Sequence, residues 1–117
     1  MKDPPSSEFC TLGDLWVRAG NLAPAEQALV AGLERDPYSY LCHRELGEVD
    51  CLRGRFAVAR EHLELVVRMY PDMDSGTYVS LALVYRAQEH PDQARDILAK
   101  GLRIFPREPL ISRMSSH

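Results

Sequence analysis

An all-α fold of three stacked antiparallel helix pairs is predicted for this chain, from three observations. First, the word Leu12-Gly13, Gly20, Leu22, Ala25, Leu29, Pro37 recurs 34 residues later as Leu46-Gly47, Gly54, Phe56, Ala59, Leu63, Pro71. A third copy, Leu81-Ala82, Glu89, Ala94, Leu98, Pro106, follows at a displacement of 35. Second, apolar residues between these landmarks are spaced three and four apart, which lines one face of a helix. Third, glycine and proline punctuate each copy at fixed places. Copies in register identify a repeat architecture before any single motif does.

The elements follow in order. Residues 1–5 form a disordered lead, since Pro4-Pro5 cannot open a hydrogen-bonded element together. Ser6 or Ser7 is expected to cap the first helix, with Glu8 near its positive end. Phe9, Leu12, Gly13 and Trp16 make its buried stripe, and Gly20-Asn21 breaks it. Pro24 suits the first turn of the second helix, where its missing N–H costs nothing. Ala25, Ala28, Leu29 and Leu33 line that helix, and Asp36-Pro37 ends it. The second pair runs from about Ser39 to Leu52 and from Phe56 to Met69. A loop over 71–76 holds the extra residue of the last period. The third pair carries Tyr78, Leu81, Ala82 and Tyr85, then Ala94, Leu98 and Leu102 after the first-turn Pro91. This divides residues 6–108 into repeats at 6–39, 40–73 and 74–108, with a tail over 109–117 too short for a full helix. Small residues meet where the helices of a pair cross: Gly13 with Ala25, Gly47 with Ala59, Ala82 with Ala94. No pair buries its faces alone, and stacking makes one core.

Composition narrows the functional classes. The 117 residues are 45% hydrophobic and 26% charged, with a formal net charge of −3, the balance of an ordinary globular chain. No clustered basic face points to nucleic acid. No apolar run approaches the ~18 residues that span a bilayer, and the first five residues lack the apolar segment of a secretory signal. The three cysteines, Cys10, Cys42 and Cys51, are odd in number and unpaired in spacing. They argue against a disulfide framework and for a reducing, cytoplasmic setting.

The landmarks resemble the tetratricopeptide repeat family. In the first copy the matching positions are Phe9, Leu12-Gly13, Trp16, Gly20, Ala25, Leu29, Gly32 and Pro37. In the third they are Tyr78, Leu81-Ala82, Tyr85, Ala94, Leu98, Gly101 and Pro106, with Glu89 in place of glycine. The second copy departs further, with His43 and Asp50 at both aromatic positions and Val66 at the small one. The resemblance implies a right-handed α-solenoid whose first helices line a concave groove, and a family that binds peptides or partner proteins. It implies groove positions at Ser7, Cys10, Asp14, Val17 and Arg18, at Leu41, Arg44, Glu48, Cys51 and Leu52, and at Val79, Leu83 and Arg86. Some members hold a partner's C-terminal carboxylate with a lysine and an asparagine on the first helix. Cys10 and Asp14 stand there instead, so that clamp is absent.

Arg18, Arg44 and Arg86 suit carboxylates, through the paired donors of the guanidinium fork. Equally, Arg44 and Glu48, four apart, can pair along their own helix. Cys42, His43 and Cys51 suggest a metal, but adjacent helical residues diverge by about 100° and no ligand spacing is present. A Cys–His nucleophile fails on the same geometry. His43 and Asp50, two turns apart, make a polar weak point in repeat two and would need a third group or a water between them to act together. Trp16, Phe56, Tyr85 and Phe105 are expected in the core, and Tyr38 and Tyr40 partly exposed.

The expected function is therefore a non-catalytic protein–protein interaction module, a scaffold or adaptor without cofactor or metal, whose groove takes a peptide segment. The alternatives are a structural segment of a larger protein, self-associating as a homo-oligomer through Ile97, Leu98, Leu102 and Ile104 of the last helix, or a small secretion-type chaperone.

Overall fold

The computed structural model describes residues 5–115. Four residues of the expected disordered lead, 1–4, and the last two of the tail lie outside them. All regular structure among the described residues is helical: α1 Ser6–Arg18, α2 Leu22–Arg35, α3 Tyr40–Leu52, α4 Phe56–Met69, α5 Ser75–Ala87, α6 Pro91–Ile104 and α7 Pro109–Ser115. The three pairs α1/α2, α3/α4 and α5/α6 stack into a body of 52 × 26 × 22 Å. No helix is long and apolar enough to cross a membrane among the described residues.

The turn within each pair is the same motif three times. After α1, the N–H of Gly20 donates to Val17 O and that of Asn21 to Trp16 O; Gly54 with Arg55 and Glu89 with His90 repeat this after α3 and α5. This pair of hydrogen bonds closes a helix only if the first residue past the cap takes a left-handed conformation. Gly20 and Gly54 do so at φ 81° and 75°, and Glu89 is forced to φ 62°. Glu89→Gly is therefore expected to stabilise the chain by roughly 0.5–1 kcal/mol, because relief of the left-handed strain exceeds the entropy glycine adds to the unfolded chain. Urea unfolding beside Glu89→Ala, which keeps the strain and should gain nothing, checks it.

The second helix of each pair ends two residues before proline, the N–H of the intervening cap residue donating to the carbonyl of Gly32, Val66 or Gly101. Helix crossings need the small residues: a Cβ on Gly47 would sit 2.6 Å from Leu63 Cδ2. Helix starts differ from expectation at α1, where Pro5 occupies the cap position and neither serine caps. Ser39 caps α3 through the Cys42 N–H, and Asp74 caps α5 through the Gly76 N–H. Asp74 lies in the loop that carries the extra residue.

The C-terminal end is covered. Residues 109–115 do form a helix, a correction to the expected broken tail, and α7 packs on both α5 and α6. It starts at the register of a fourth first-helix. Ser75 Oγ donates to Glu108 Oε2 at 3.1 Å and Arg86 to Met114 O at 3.5 Å, which fastens it. Ile111 and Leu98 are buried, and Ile97, Leu102 and Ile104 are partly buried in the same cluster. The apolar surface expected to remain open on α6 for self-association is thus largely taken by the chain itself.

The core divides into two clusters. One gathers Cys10, Val17, Ala25, Leu29, Cys42, Leu46 and Val49; the other runs from Ala59 and Leu63 through α5 to Ala94, Leu98 and Ile111. Trp16, Phe56 and Phe105 sit half-buried at their margins. Leu12, expected in the core, is exposed, because no helix among the described residues lies over that side of α1.

Candidate functional site

Helices α1, α3 and α5 touch in succession, whereas α2, α4 and α6 do not touch one another. The first helices are therefore drawn together and the second helices splayed, which makes the α1–α3–α5 wall the inner face. The expected groove residues divide on it into three sets.

Cys10, Val17 and Val79 are buried and offer no side chain to a partner. Cys10 is joined to Cys42 in a disulfide with the Cα atoms 5.2 Å apart, which overturns the expectation that the cysteines are unpaired. The pairing also removes the argument from unpaired thiols for a reducing compartment. Ser39 Oγ lies 3.4 Å from Cys10 Sγ and donates to it. The cysteines converge because the third position of one first-helix lies beside the fifth position of the preceding one, and Gly32 between them has no side chain: a Cβ there would meet both sulfurs.

The arginines are engaged within the protein. Arg18 pairs with Asp14 at 3.2 Å. Arg44 donates to Asp74 Oδ2 at 2.8 Å and to Glu45 Oε1 at 2.6 Å, not to Glu48, so neither the free fork nor the i, i+4 pair is the arrangement found. The third set is accessible: Ser7, Leu52, Leu83 and Arg86 are exposed, and Asp14, Leu41, Glu48 and Cys51 partly so. Burial first, then the charges of Asp50 and Glu48, pushes the Cys51 thiol up to about 11. It stays protonated at neutral pH and is no nucleophile.

Two polar clusters lie behind this wall. His43 Nε2–H donates to Pro37 O at 2.7 Å. That leaves Nδ1 as the acceptor for His62 Nδ1–H at 2.8 Å. His62 Nε2 lies 3.8 Å from Asp50 Oδ2. The third group between His43 and Asp50 is thus His62 of α4, which sequence reasoning missed; its signal is a histidine at the inner position where the other repeats carry Ala28 and Ile97. Burial, then His43, lowers the His62 pKa, while Glu61 opposes. Burial, then Glu26, raises that of Asp50, against Arg55 and Arg53. Glu45 was missed as well. It is fully buried, and burial, then a hydrogen bond with Asp14, pushes its carboxyl up to about 7 despite Arg44. Among the described residues no group of three His, Cys, Asp or Glu is placed to hold a metal ion.

The sequence matches no protein-family model, and no curated relative is significantly similar to it. Solved structures do match. The first TPR of Spaghetti (RPAP3), bound to the HSP90 peptide SRMEEVD, superposes at a TM-score of 0.86 with 16% identity over 95% of this chain and 89% of that one. YrrB, a TPR protein with an unusual peptide-binding site, gives 0.86 at 17% identity over 98% of this chain and 59% of its own. MamA from Desulfovibrio magneticus RS-1 gives 0.83 at 20% identity over 94% and 62%. The chain thus spans about three fifths of the YrrB and MamA chains. Its fold is the right-handed helical-repeat solenoid of the tetratricopeptide-repeat proteins.

Proposed function

We propose that the chain is a non-catalytic interaction module whose inner wall takes a peptide segment of a partner protein. The observation that carries this is the accessible set on α3 and α5: Leu52 and Leu83 stand exposed on rigid helices beside Glu48 and Arg86. Exposed leucines on a concave wall supply apolar area, and the charges at their edge set register. The peptide complex of the RPAP3 repeat and the peptide-binding site of YrrB support the same use of the fold. At the α1 end Cys10 is sealed in its disulfide and Asp14 carries negative charge, so a terminal carboxylate is disfavoured there and a neutral or cationic side chain suits it.

The test is a peptide-library selection on the purified protein beside Leu83→Glu/Arg86→Glu. Both positions are exposed, and the cost is confined to the long 3.5 Å bond from Arg86 to Met114 O, so the variant should remain folded with at most a small drop in unfolding temperature. Enriched peptides are expected to lose at least tenfold in affinity for it. No enrichment, or equal binding to a folded variant, would overturn the proposal. Arg44 is unsuitable for this purpose, because its loss leaves buried Glu45 without its cationic partner.

A further inference from the structure

The inner wall carries its negative charge at one level. Asp14 and Glu48 occupy the same register position on α1 and α3, and Leu83 holds it on α5. Both carboxylates reach solvent in part, and α1 lies against α3. What sets this pair apart from a solvated acidic face is the group behind it. Glu45 of α3 is fully buried, and its carboxyl forms a hydrogen bond with that of Asp14. Oε2 of Glu45 and Oδ1 of Asp14 are both buried, and neither accepts a hydrogen bond from any described donor. Arg18 lies 3.2 Å from the Asp14 oxygen, outside hydrogen-bond alignment. Carboxylate oxygens only accept, so two that meet need a proton or another cation between or beside them.

The surrounding charges favour a cation. Arg44 donates to Oε1 of Glu45 and to Asp74, and Arg18 pairs with Asp14. Glu48 adds its charge from the same helix as Glu45. Tyr40 stays neutral, its phenol raised by burial first and then by Asp74. The two arginines thus face three negative charges while the Asp14–Glu45 pair holds its proton, and four once the proton has left. A bound cation therefore prefers the deprotonated pair, and by linkage its arrival expels the proton to solvent.

We propose that this end of the inner wall seats a lysine side chain of the bound peptide, whose ammonium lies against Asp14 and Glu48 and replaces the proton shared by Asp14 and Glu45. The inference rests on the reading of the inner wall as a peptide groove. The Asp14 side chain is 31% exposed, so the ammonium reaches it directly, while Glu45 acts only through Asp14. Lysine suits the seat because its ammonium is compact and carries three donors, and it keeps its charge across neutral pH. The Glu45 carboxyl titrates at about 7 in the free protein. At pH 7 about half a proton should leave per peptide bound, and affinity should rise about tenfold from pH 6 to 8.

The test selects two peptide libraries on the full chain, identical except at one position, fixed as lysine in the first and norleucine in the second. Lysine peptides are expected to bind at least tenfold tighter than their norleucine counterparts. Asp14→Asn/Glu48→Gln changes charge and not size at two part-exposed positions, and should erase that difference while the norleucine peptides bind as before. Calorimetry of a lysine peptide in phosphate and in Tris should count the released proton. Glu45→Gln, which keeps the hydrogen bond of the protonated acid, should bind at the parent's pH 6 level throughout the range from pH 6 to 8. Equal enrichment of both libraries, lost in Leu83→Glu/Arg86→Glu, would overturn the lysine seat and leave the groove standing, whereas no enrichment of either would overturn both. A lysine preference that survives Asp14→Asn/Glu48→Gln, or a parent affinity independent of pH, would also overturn the seat.

Discussion

Reduction of the Cys10–Cys42 disulfide is expected to cost the folded chain roughly 3–4 kcal/mol. The bond joins residues 32 apart, and closing a loop of that length removes about this much conformational free energy from the unfolded chain. Little of the cost should arise in the native state. Both sulfurs are buried among apolar neighbours, an environment that free thiols also tolerate. The expected signature in urea is therefore a lower midpoint together with a steeper dependence on denaturant, since the reduced unfolded chain exposes more surface. Cys10→Ala/Cys42→Ala should reproduce it without reductant. Thiol titration of the unreduced protein in denaturant should find one group per chain, that of Cys51, the free cysteine. Three titratable thiols, or superimposable curves before and after reduction, would refute the expectation.

The repeat register was legible because it is written in residue size. Gly47 stands under Leu63 and Gly20 and Gly54 sit at left-handed turns, so the landmarks reappear at fixed distances in any chain that folds this way. Burial was less legible, because it depends on what lies across the interface. Leu12 and Leu46 are the same residue at the same register position, yet one is open and the other closed, a difference made by α2 lying over α3 and by nothing among the described residues over α1. The disulfide escaped spacing rules for a related reason: Cys10 and Cys42 meet only once the superhelix sets successive first-helices side by side. Arg44 looked free of long-range pairing because one of its two partners comes from another segment. Asp74 reaches Arg44 from a loop 30 residues away. His62 completes the His43–Asp50 pair from α4, and a search within one helix cannot find it.

Glu45→Gln is expected to stabilise the protein above neutral pH by about 3 kcal/mol and to change little below pH 4.5. The carboxyl is enclosed between α1 and α3, accepts from Arg44 through Oε1, and finds no donor for Oε2. Facing Asp14, it is best satisfied when it holds a proton and donates it, and its pKa rises to about 7. The ordinary value is 4.5. Between these values the native chain keeps a proton that the unfolded chain has released, so unfolding free energy falls as pH rises through that window. A shift of this size corresponds to about 3 kcal/mol at ~1.4 kcal/mol per unit. Asp50, also raised, adds to the fall, while His62, lowered, opposes it as pH drops below the ordinary histidine range. The wild-type curve is thus a composite, and the difference between variant and parent isolates Glu45. Glutamine donates to Asp14 as the protonated acid does but has no proton to lose, so that difference should start near zero and grow from pH 4.5 to 7.5. A difference independent of pH would mean that Glu45 is ionised throughout, stabilised by Arg44 against its burial, and that α1 and α3 are joined at this point by an ion pair and not by a shared proton.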